Sequence, residues 1–187
     1  MVIDMRTMTA RQPKAVLACW VLPAQPEQNF FAFLIGELAS RFDAPPFEPH
    51  VTIYAASSGS ESPEGVMMAA SSGCSPFRLT VRDLQSSGEF TKTVSVQFES
   101  STALSEMNRK LREVSGANDE YELNPHLSLI YKRMTKEKRA QLAASIRLPF
   151  TEVLFDTVKA VVCPTTPIRS REDVENWRVV ASQRLTG

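Results

Sequence analysis

Two histidines, His50 and His126, are the only ones in this chain of 187 residues, and both lie in the same short pattern. Segments 48–53 (Glu-Pro-His-Val-Thr-Ile) and 124–129 (Asn-Pro-His-Leu-Ser-Leu) share the order polar residue, Pro, His, aliphatic residue, Ser or Thr, aliphatic residue. At ordinary residue frequencies, two such matches have a chance on the order of one in a million. The repeat therefore indicates a shared function.

Each copy of the repeat combines an imidazole with a hydroxyl. Alternate side chains of a strand share a face, so His50 should point with Thr52, and His126 with Ser128. Because imidazole titrates near neutrality, one histidine can accept a proton from water while the other protonates a leaving oxygen. The hydroxyls can donate hydrogen bonds to phosphate oxygens. We predict that the histidines are the catalytic acid and base for opening a cyclic phosphate, in an order that stays open, and that Thr52 and Ser128 bind phosphate.

Structural and metal-binding explanations fit the pattern less well. A lone histidine on a strand is more often structural than catalytic, and duplication for folding alone explains the aliphatic positions but not two histidines. Two histidines without a suitably spaced cysteine or acid make an incomplete zinc site, and the proposed chemistry requires no metal ion or cofactor. The cysteines (Cys19, Cys74 and Cys163) form no Cys-x-x-Cys pair, so we expect no disulfides and a cytoplasmic location.

Charge and hydropathy limit the partners. Lys plus Arg and Asp plus Glu number 21 each, so no bulk positive field attracts a long nucleic acid, and a small nucleotide is the expected substrate. The absence of a long apolar run predicts no membrane association. We further expect a monomer, with a disordered leader over residues 1–12 and a single domain over residues 13–187.

The elements that must position the histidines follow from periodicity. Apolar runs and alternation predict strands, and apolar residues at helical spacing with caps and prolines predict helices. The strands are expected at 15–22, 50–55, 77–84, 93–98, 126–131, 150–163 and 177–181, and the helices at 26–42, 63–70, 104–114 and 135–146. Because the strands cluster in antiparallel pairs, this order favours an α+β fold over a doubly wound sheet.

With these motifs, the sequence resembles the two-histidine phosphoesterase superfamily, and within it the plant and yeast type of cyclic phosphodiesterase. Segments 19–23 (Cys-Trp-Val-Leu-Pro), 125–131 (Pro-His-Leu-Ser-Leu-Ile-Tyr) and 174–181 (Val-Glu-Asn-Trp-Arg-Val-Val-Ala) carry the resemblance. It implies a bilobal fold, with two pseudo-symmetric lobes of antiparallel sheet and outer helices around a central cleft. The implied substrates are nucleoside 2′,3′-cyclic phosphates or ADP-ribose 1″,2″-cyclic phosphate, and the implied product keeps the phosphate on the 2′ oxygen.

Three aromatic residues are candidates to bind the substrate. The resemblance implies that Trp20 and Tyr131 line the pocket, although a core position for Trp20 fits the sequence equally well. Tyr131 lies five residues after His126, so it reaches the pocket only if the strand ends or twists there. Tyr54 lies four residues after His50, and strict alternation places it on the histidine face.

Two other functions stay open. One is an RNA-end cyclic phosphodiesterase like the 2′-5′ RNA ligase-like branch, in which basic residues follow a motif. The second motif here precedes a basic cluster, which would either bind phosphate or form a solvated helix face (Lys132, Arg133, Lys136, Lys138 and Arg139). The other is a non-catalytic nucleotide-binding module, against which the presence of all four motif residues argues.

Overall fold

The computed structural model describes residues 15–57, 62–115, 122–164 and 166–187. The expected leader, residues 1–12, lies outside this part of the chain. The elements are β1 (Val16–Pro23), α1 (Glu27–Phe42), β2 (Val51–Ser57), α2 (Pro63–Ser71), β3 (Phe77–Ser86), a 3-10 turn (Phe90–Lys92), β4 (Val94–Phe98), α3 (Thr102–Ser115), β5 (His126–Ile130), α4 (Lys136–Ser145), β6 (Glu152–Cys163), α5 (Arg171–Glu175) and β7 (Arg178–Arg184). Every predicted strand and helix is present, and the α+β class is confirmed.

One short helix was not predicted. α5 begins after Ser170, whose hydroxyl accepts a hydrogen bond from the amide of Asp173, while the Asp173 carboxylate accepts from the Ser170 amide. The spacing of Ser170 and Asp173 is the sequence signature of a capping box, so this start was visible in the sequence. None of the described helices is long and apolar enough to cross a membrane.

The seven strands form one antiparallel sheet in the order β1-β2-β5-β4-β3-β6-β7. β1 also pairs with β6, so the pairings from β1 through β2, β5, β4, β3 and β6 return to β1. β6 is shared: its first residues pair with β3, and its remainder pairs with β1 and β7. The two histidine strands, β2 and β5, meet at a single bridged pair, Val51 with Leu127.

The core lies between this sheet and the helices. The apolar stripe of α1 buries Phe31, Ile35 and Leu38, and α3 buries Leu104, Met107 and Leu111. These helices contact β5 and β2 respectively, on the side of the sheet opposite the histidines. Each helix buries several large apolar side chains, and each burial stabilises the fold by about 1.5–3 kcal/mol. This packing holds the two histidine strands in place from the core side of the sheet.

A β-bulge interrupts each histidine strand at the same position of the repeat. In β2, Cys19 and Trp20 of β1 pair with Tyr54 and Thr52, which leaves Ile53 as the extra residue. In β5, the pairing partners of two successive β4 residues are Ile130 and Ser128, which leaves Leu129 as the extra residue. Both extra residues lie three positions after the histidine. An extra residue shifts the alternation of side chains, so the face of every later residue in the strand changes.

Candidate active site

The four motif side chains face one cavity. The antiparallel pairing of Val51 with Leu127, extended by one residue in each direction, places His50 opposite Ser128 and His126 opposite Thr52. Val51 and Leu127 themselves are fully buried on the other side. All four motif residues line a cavity of about 240 Å³, so the structure brings together the residues that the repeat predicts.

Each imidazole is held through the same hydrogen bond. Nδ1 of His50 lies 2.6 Å from the backbone oxygen of Glu48, and Nδ1 of His126 lies 2.7 Å from that of Asn124. A carbonyl oxygen only accepts, so both Nδ1 atoms carry a proton. In the neutral ring, Nε2 is therefore the basic atom. The proline between acceptor and histidine has a fixed φ, which explains why the repeat includes it.

The polar residue that begins each repeat is held by a side chain from another strand. Both carboxylate oxygens of Glu48 accept hydrogen bonds from Nζ of Lys159 in β6, at 2.6 and 2.8 Å. In the other copy, Nε2 of Gln97 in β4 donates to Oδ1 of Asn124 at 2.5 Å and to the next backbone oxygen at 2.8 Å. These side chains fix the backbone carbonyls that orient the imidazoles. Neither Lys159 nor Gln97 was identified from the sequence, because both lie far from the repeats along the chain.

The two histidines differ in burial. His50 is 7% exposed, and its loss of solvation lowers its pKa from 6.5 to about 4, with a smaller lowering from nearby His126. The bond to Glu48 acts in the opposite direction. Burial also lowers the pKa of His126, which is only partly buried, and nearby Lys92 lowers it further. The otherwise similar imidazoles thus have different proton affinities.

The hydroxyl of Ser128 is already hydrogen-bonded. Ser128 Oγ donates to the backbone oxygen of Thr91 at 2.6 Å and also contacts the hydroxyl of Tyr131. Burial raises the pKa of Tyr131 above its usual value of 10, so its phenol is neutral at physiological pH. Thr52 lines the cavity within the same strand pair.

Aromatic rings form one wall of the cavity. Trp20 stacks on His50 with ring centres 3.7 Å apart and planes 12° apart. Trp177 makes edge-to-face contacts with Trp20, His50 and Tyr131, with ring centres 5.2, 5.9 and 5.9 Å apart. Phe47 stacks on Tyr131 at 3.9 Å. Trp20 is 4% exposed, and it belongs to a small apolar cluster and also lines the cavity. Its contact with a substrate stays a prediction.

The prediction for Tyr54 is wrong, and the bulge explains why. With Ile53 as an extra residue, Tyr54 turns into the core, where its hydroxyl contacts Oγ of Ser115 at 2.5 Å. Ala55 takes the cavity position instead. The equivalent bulge in β5 turns Ile130 into the core and Tyr131 into the cavity, which supplies the change of face that Tyr131 required.

Several residues of the cavity were not predicted. Trp177 was assigned only as the start of a strand, and Thr91, Lys92, Glu122 and Asn124 also line the cavity. The polar position of the repeat was the one signal for Asn124. Conversely, the basic cluster after the second motif does not line this cavity. Cys163 does line it, but burial raises its pKa to about 11, so it is a neutral thiol.

The described ranges offer no evident metal site. Among those residues, no group of three or more His, Cys, Asp or Glu side chains is placed to hold a metal ion. Nε1 of Trp177 is, within the same part of the chain, a buried donor without a hydrogen-bond partner.

Comparison with known proteins gives a family and a fold. The sequence profile of a family described as cyclic phosphodiesterase-like protein matches residues 16–185. No curated protein matches the chain. Among solved structures, E. coli LigT complexed with 3′-AMP has a TM-score of 0.54 at 12% identity, covering 94% of this chain and 100% of that one. A phosphoesterase has a TM-score of 0.58 at 15% identity, covering 94% and 100%. TT0787 of Thermus thermophilus has a TM-score of 0.57 at 14% identity, covering 92% and 98%. At these identities the structural likeness establishes the fold.

Proposed function

The chain belongs to the cyclic phosphodiesterase-like protein family, and from this premise we propose that it hydrolyses the cyclic phosphodiester of a small nucleotide. The substrate would be a nucleoside 2′,3′-cyclic phosphate or ADP-ribose 1″,2″-cyclic phosphate, opened by His50 and His126 without a metal ion. One observation carries the proposal. The two imidazoles line one cavity, and each keeps Nδ1 bonded to a carbonyl, so that Nε2 of each is the atom for proton transfer.

Burial assigns the two roles in this proposal. A general base must be neutral and a general acid must be protonated when the substrate is bound. The cyclic phosphate brings a negative charge that raises the proton affinity of both rings, and the less buried ring, His126, takes the proton first. His50 is then the base and His126 is the acid.

The reaction follows from this assignment. Nε2 of His50 accepts a proton from water as the water oxygen bonds to phosphorus. The bond from phosphorus to one ring oxygen breaks, and Nε2 of protonated His126 donates its proton to that oxygen. The product is a phosphate monoester next to a free hydroxyl. Proton exchange with solvent then returns each ring to its starting state.

Binding the phosphate requires a change at Ser128. Its single hydrogen is donated to Thr91 in the structure, so it must rotate to donate to a phosphate oxygen. After this rotation, the serine hydrogen is the donor to the substrate instead of to Thr91. Thr52 provides the second hydroxyl, opposite His126. Developing charge on the phosphate oxygens makes such donors most effective in the transition state.

Two observations support a small nucleotide substrate. The cavity of about 240 Å³ is small, and its aromatic wall suits a base or ribose. Nε1 of Trp177 is a buried donor that lacks a partner within the described chain, a costly arrangement that a substrate oxygen would relieve. The complex of LigT with 3′-AMP, a ribonucleotide with a ribose phosphate, is consistent with such a ligand for this fold.

We further propose that the protein acts as a cytoplasmic monomer.

A panel assay tests the proposal. Enzyme prepared with a chelator is expected to open a nucleoside 2′,3′-cyclic phosphate or ADP-ribose 1″,2″-cyclic phosphate, with the product oxygen identified by phosphorus NMR. His50→Ala and His126→Ala should each lower kcat by about 10²–10⁴-fold or more. Undiminished turnover in either variant would exclude the proposal. Preference for oligonucleotide ends over mononucleotides, with strong salt dependence, would instead favour the RNA-end alternative.

The roles of the histidines need a separate experiment. A nucleotide p-nitrophenyl phosphodiester has a leaving group that departs without protonation. His126→Ala should therefore retain most of the wild-type rate with this substrate, whereas His50→Ala should remain impaired. The opposite result would reverse the assignment of acid and base.

A further inference from the structure

A second cavity, outside the active site, is lined by basic side chains from three parts of the chain. It is a groove of about 600 Å³ between the C-terminal end of α1 and α4. Its lining includes Arg41 of α1, Lys132 and Arg133 of the segment after β5, and Lys138 of α4. No acidic side chain of the described ranges lines it. The groove and the active-site cavity have no lining residue in common.

Most of these cations lack a counter-ion in the part of the chain that the structure describes. Nζ of Lys132 donates to the backbone oxygen of Asp43 at 2.8 Å and lies 3.9 Å from its carboxylate. Arg41, Arg133 and Lys138 have no carboxylate partner within the described residues, and all three are exposed. The chain as a whole is neutral, so four cations around one concave surface are a local excess of positive charge. Such an excess attracts anions.

Local sequence composition does not account for this arrangement. Lys136 belongs to the same basic cluster along the chain but does not line the groove. Arg139, also in the cluster, donates to the backbone oxygen of Met134. Arg41 is distant in sequence and joins the groove only through the fold. The structure thus divides the cluster into residues that line the groove and residues that do not.

We propose that this groove is a second binding site, which takes the phosphate groups of a nucleotide-sized ligand. Its volume lies in the range typical of small-molecule sites. Arginine offers paired donors that match phosphate geometry, and lysine adds a point charge. The apolar side chains of Phe42 and Met134 also line the groove, so the ligand has an organic part beside its phosphates. This site is independent of the proposed catalytic function.

An NMR titration with ADP tests the proposal, with adenosine as the control ligand that lacks phosphate. ADP should change the amide chemical shifts of residues 133–142 together, along one saturation curve that differs from the curve of any other site. Adenosine should not change these shifts. Arg133→Gln and Lys138→Gln should each lower the ADP affinity obtained from that curve about tenfold, as expected for the loss of one charged hydrogen bond. Glutamine has a helix propensity close to that of lysine, so the Lys138 variant should fold normally. Circular dichroism and the shifts of β5 check this.

Lys136→Gln is the matched control, since it removes the same charge from the same helix outside the groove. It should change ADP affinity by less than about twofold. An equal loss in this control would show diffuse attraction to a basic surface and would overturn the proposal. So would shifts of residues 133–142 that adenosine reproduces, or shifts confined to the active-site strands.

Discussion

The buried position of His50 predicts a measurable dependence of stability on pH. In the folded protein its pKa is about 4, whereas in the unfolded chain it should be near 6.5. The unfolded chain therefore binds a proton more readily, and the stability associated with neutral His50 is complete above pH 6.5 and declines as the pH falls toward 4. The full difference corresponds to about 3.4 kcal/mol, of which about 2 kcal/mol is lost between pH 8 and pH 5.

His50→Asn isolates this contribution. Asparagine does not titrate, and its amide can still donate to the backbone oxygen of Glu48. Urea unfolding of both proteins, followed by circular dichroism at pH 8 and pH 5, gives the four free energies of unfolding. Carboxylates titrate in both proteins and cancel in the comparison. The wild type should lose about 2 kcal/mol more than the variant between these pH values.

The burial argument would be refuted if the difference in free energy of unfolding between wild type and His50→Asn were the same at pH 8 and pH 5. His126→Asn provides a comparison within the same site. Because His126 is less buried, its removal should change the pH dependence in the same direction and by less. An equal or larger change for His126 would contradict the asymmetry on which the roles of acid and base depend.

Three further predictions concern activity and the strands that support it. First, kcat/KM should peak between about pH 4 and pH 6.5, because it requires neutral His50 and protonated His126 in the free enzyme, and a maximum above pH 7 would contradict this. Second, Lys159→Met leaves the Glu48 carboxylate unpaired beside His50. The acidic limb of the pH profile should therefore move to higher pH, and kcat should fall severalfold. An unmoved limb would exclude a role of Lys159 in positioning Glu48 and His50. Third, Asn108→Ala removes the side-chain amide that donates to the backbone oxygen of Ile53, the bulge residue of β2, at 2.8 Å. The free energy of unfolding, measured with urea, should fall by about 1–3 kcal/mol. No loss would show that water replaces the donor.

The sequence was informative wherever the chemistry repeats. The pattern around His50 and His126 predicted both imidazoles and the hydroxyls of Thr52 and Ser128 in one cavity, because strand alternation over two residues is reliable. It failed for Tyr54, because one extra residue reverses the face of every residue after it. No residue type requires a bulge at Ile53, so alternation alone could not locate it.

Residues that act from other strands were beyond sequence reasoning. Lys159 and Gln97 hold the residues whose backbone carbonyls bind the imidazoles, yet each is close to a repeat only through strand pairing. Trp177 lies near the C-terminus of the chain and reaches the cavity because β7 pairs with β6. In the same way, the groove beside α4 depends on the position of Arg41 in α1. The fold class was accessible because it depends on periodicity, which is local.

The nearly two-fold arrangement of the active site has a consequence for the identity of the product. A cyclic phosphate presents two ester oxygens of similar chemistry, and the repeated residues place the same pair of groups, an imidazole and a hydroxyl, near either one. A substrate turned end over end would expose the other oxygen to the same acid. The repeated residues therefore cannot select which ester bond breaks. That selection must come from what is not repeated, and the clearest difference is the pair of indole rings of Trp20 and Trp177 that contact His50, with none at His126 among the described ring contacts. Under the proposed function, regiochemistry would thus depend on the aromatic wall, separately from the rate that the histidines would provide.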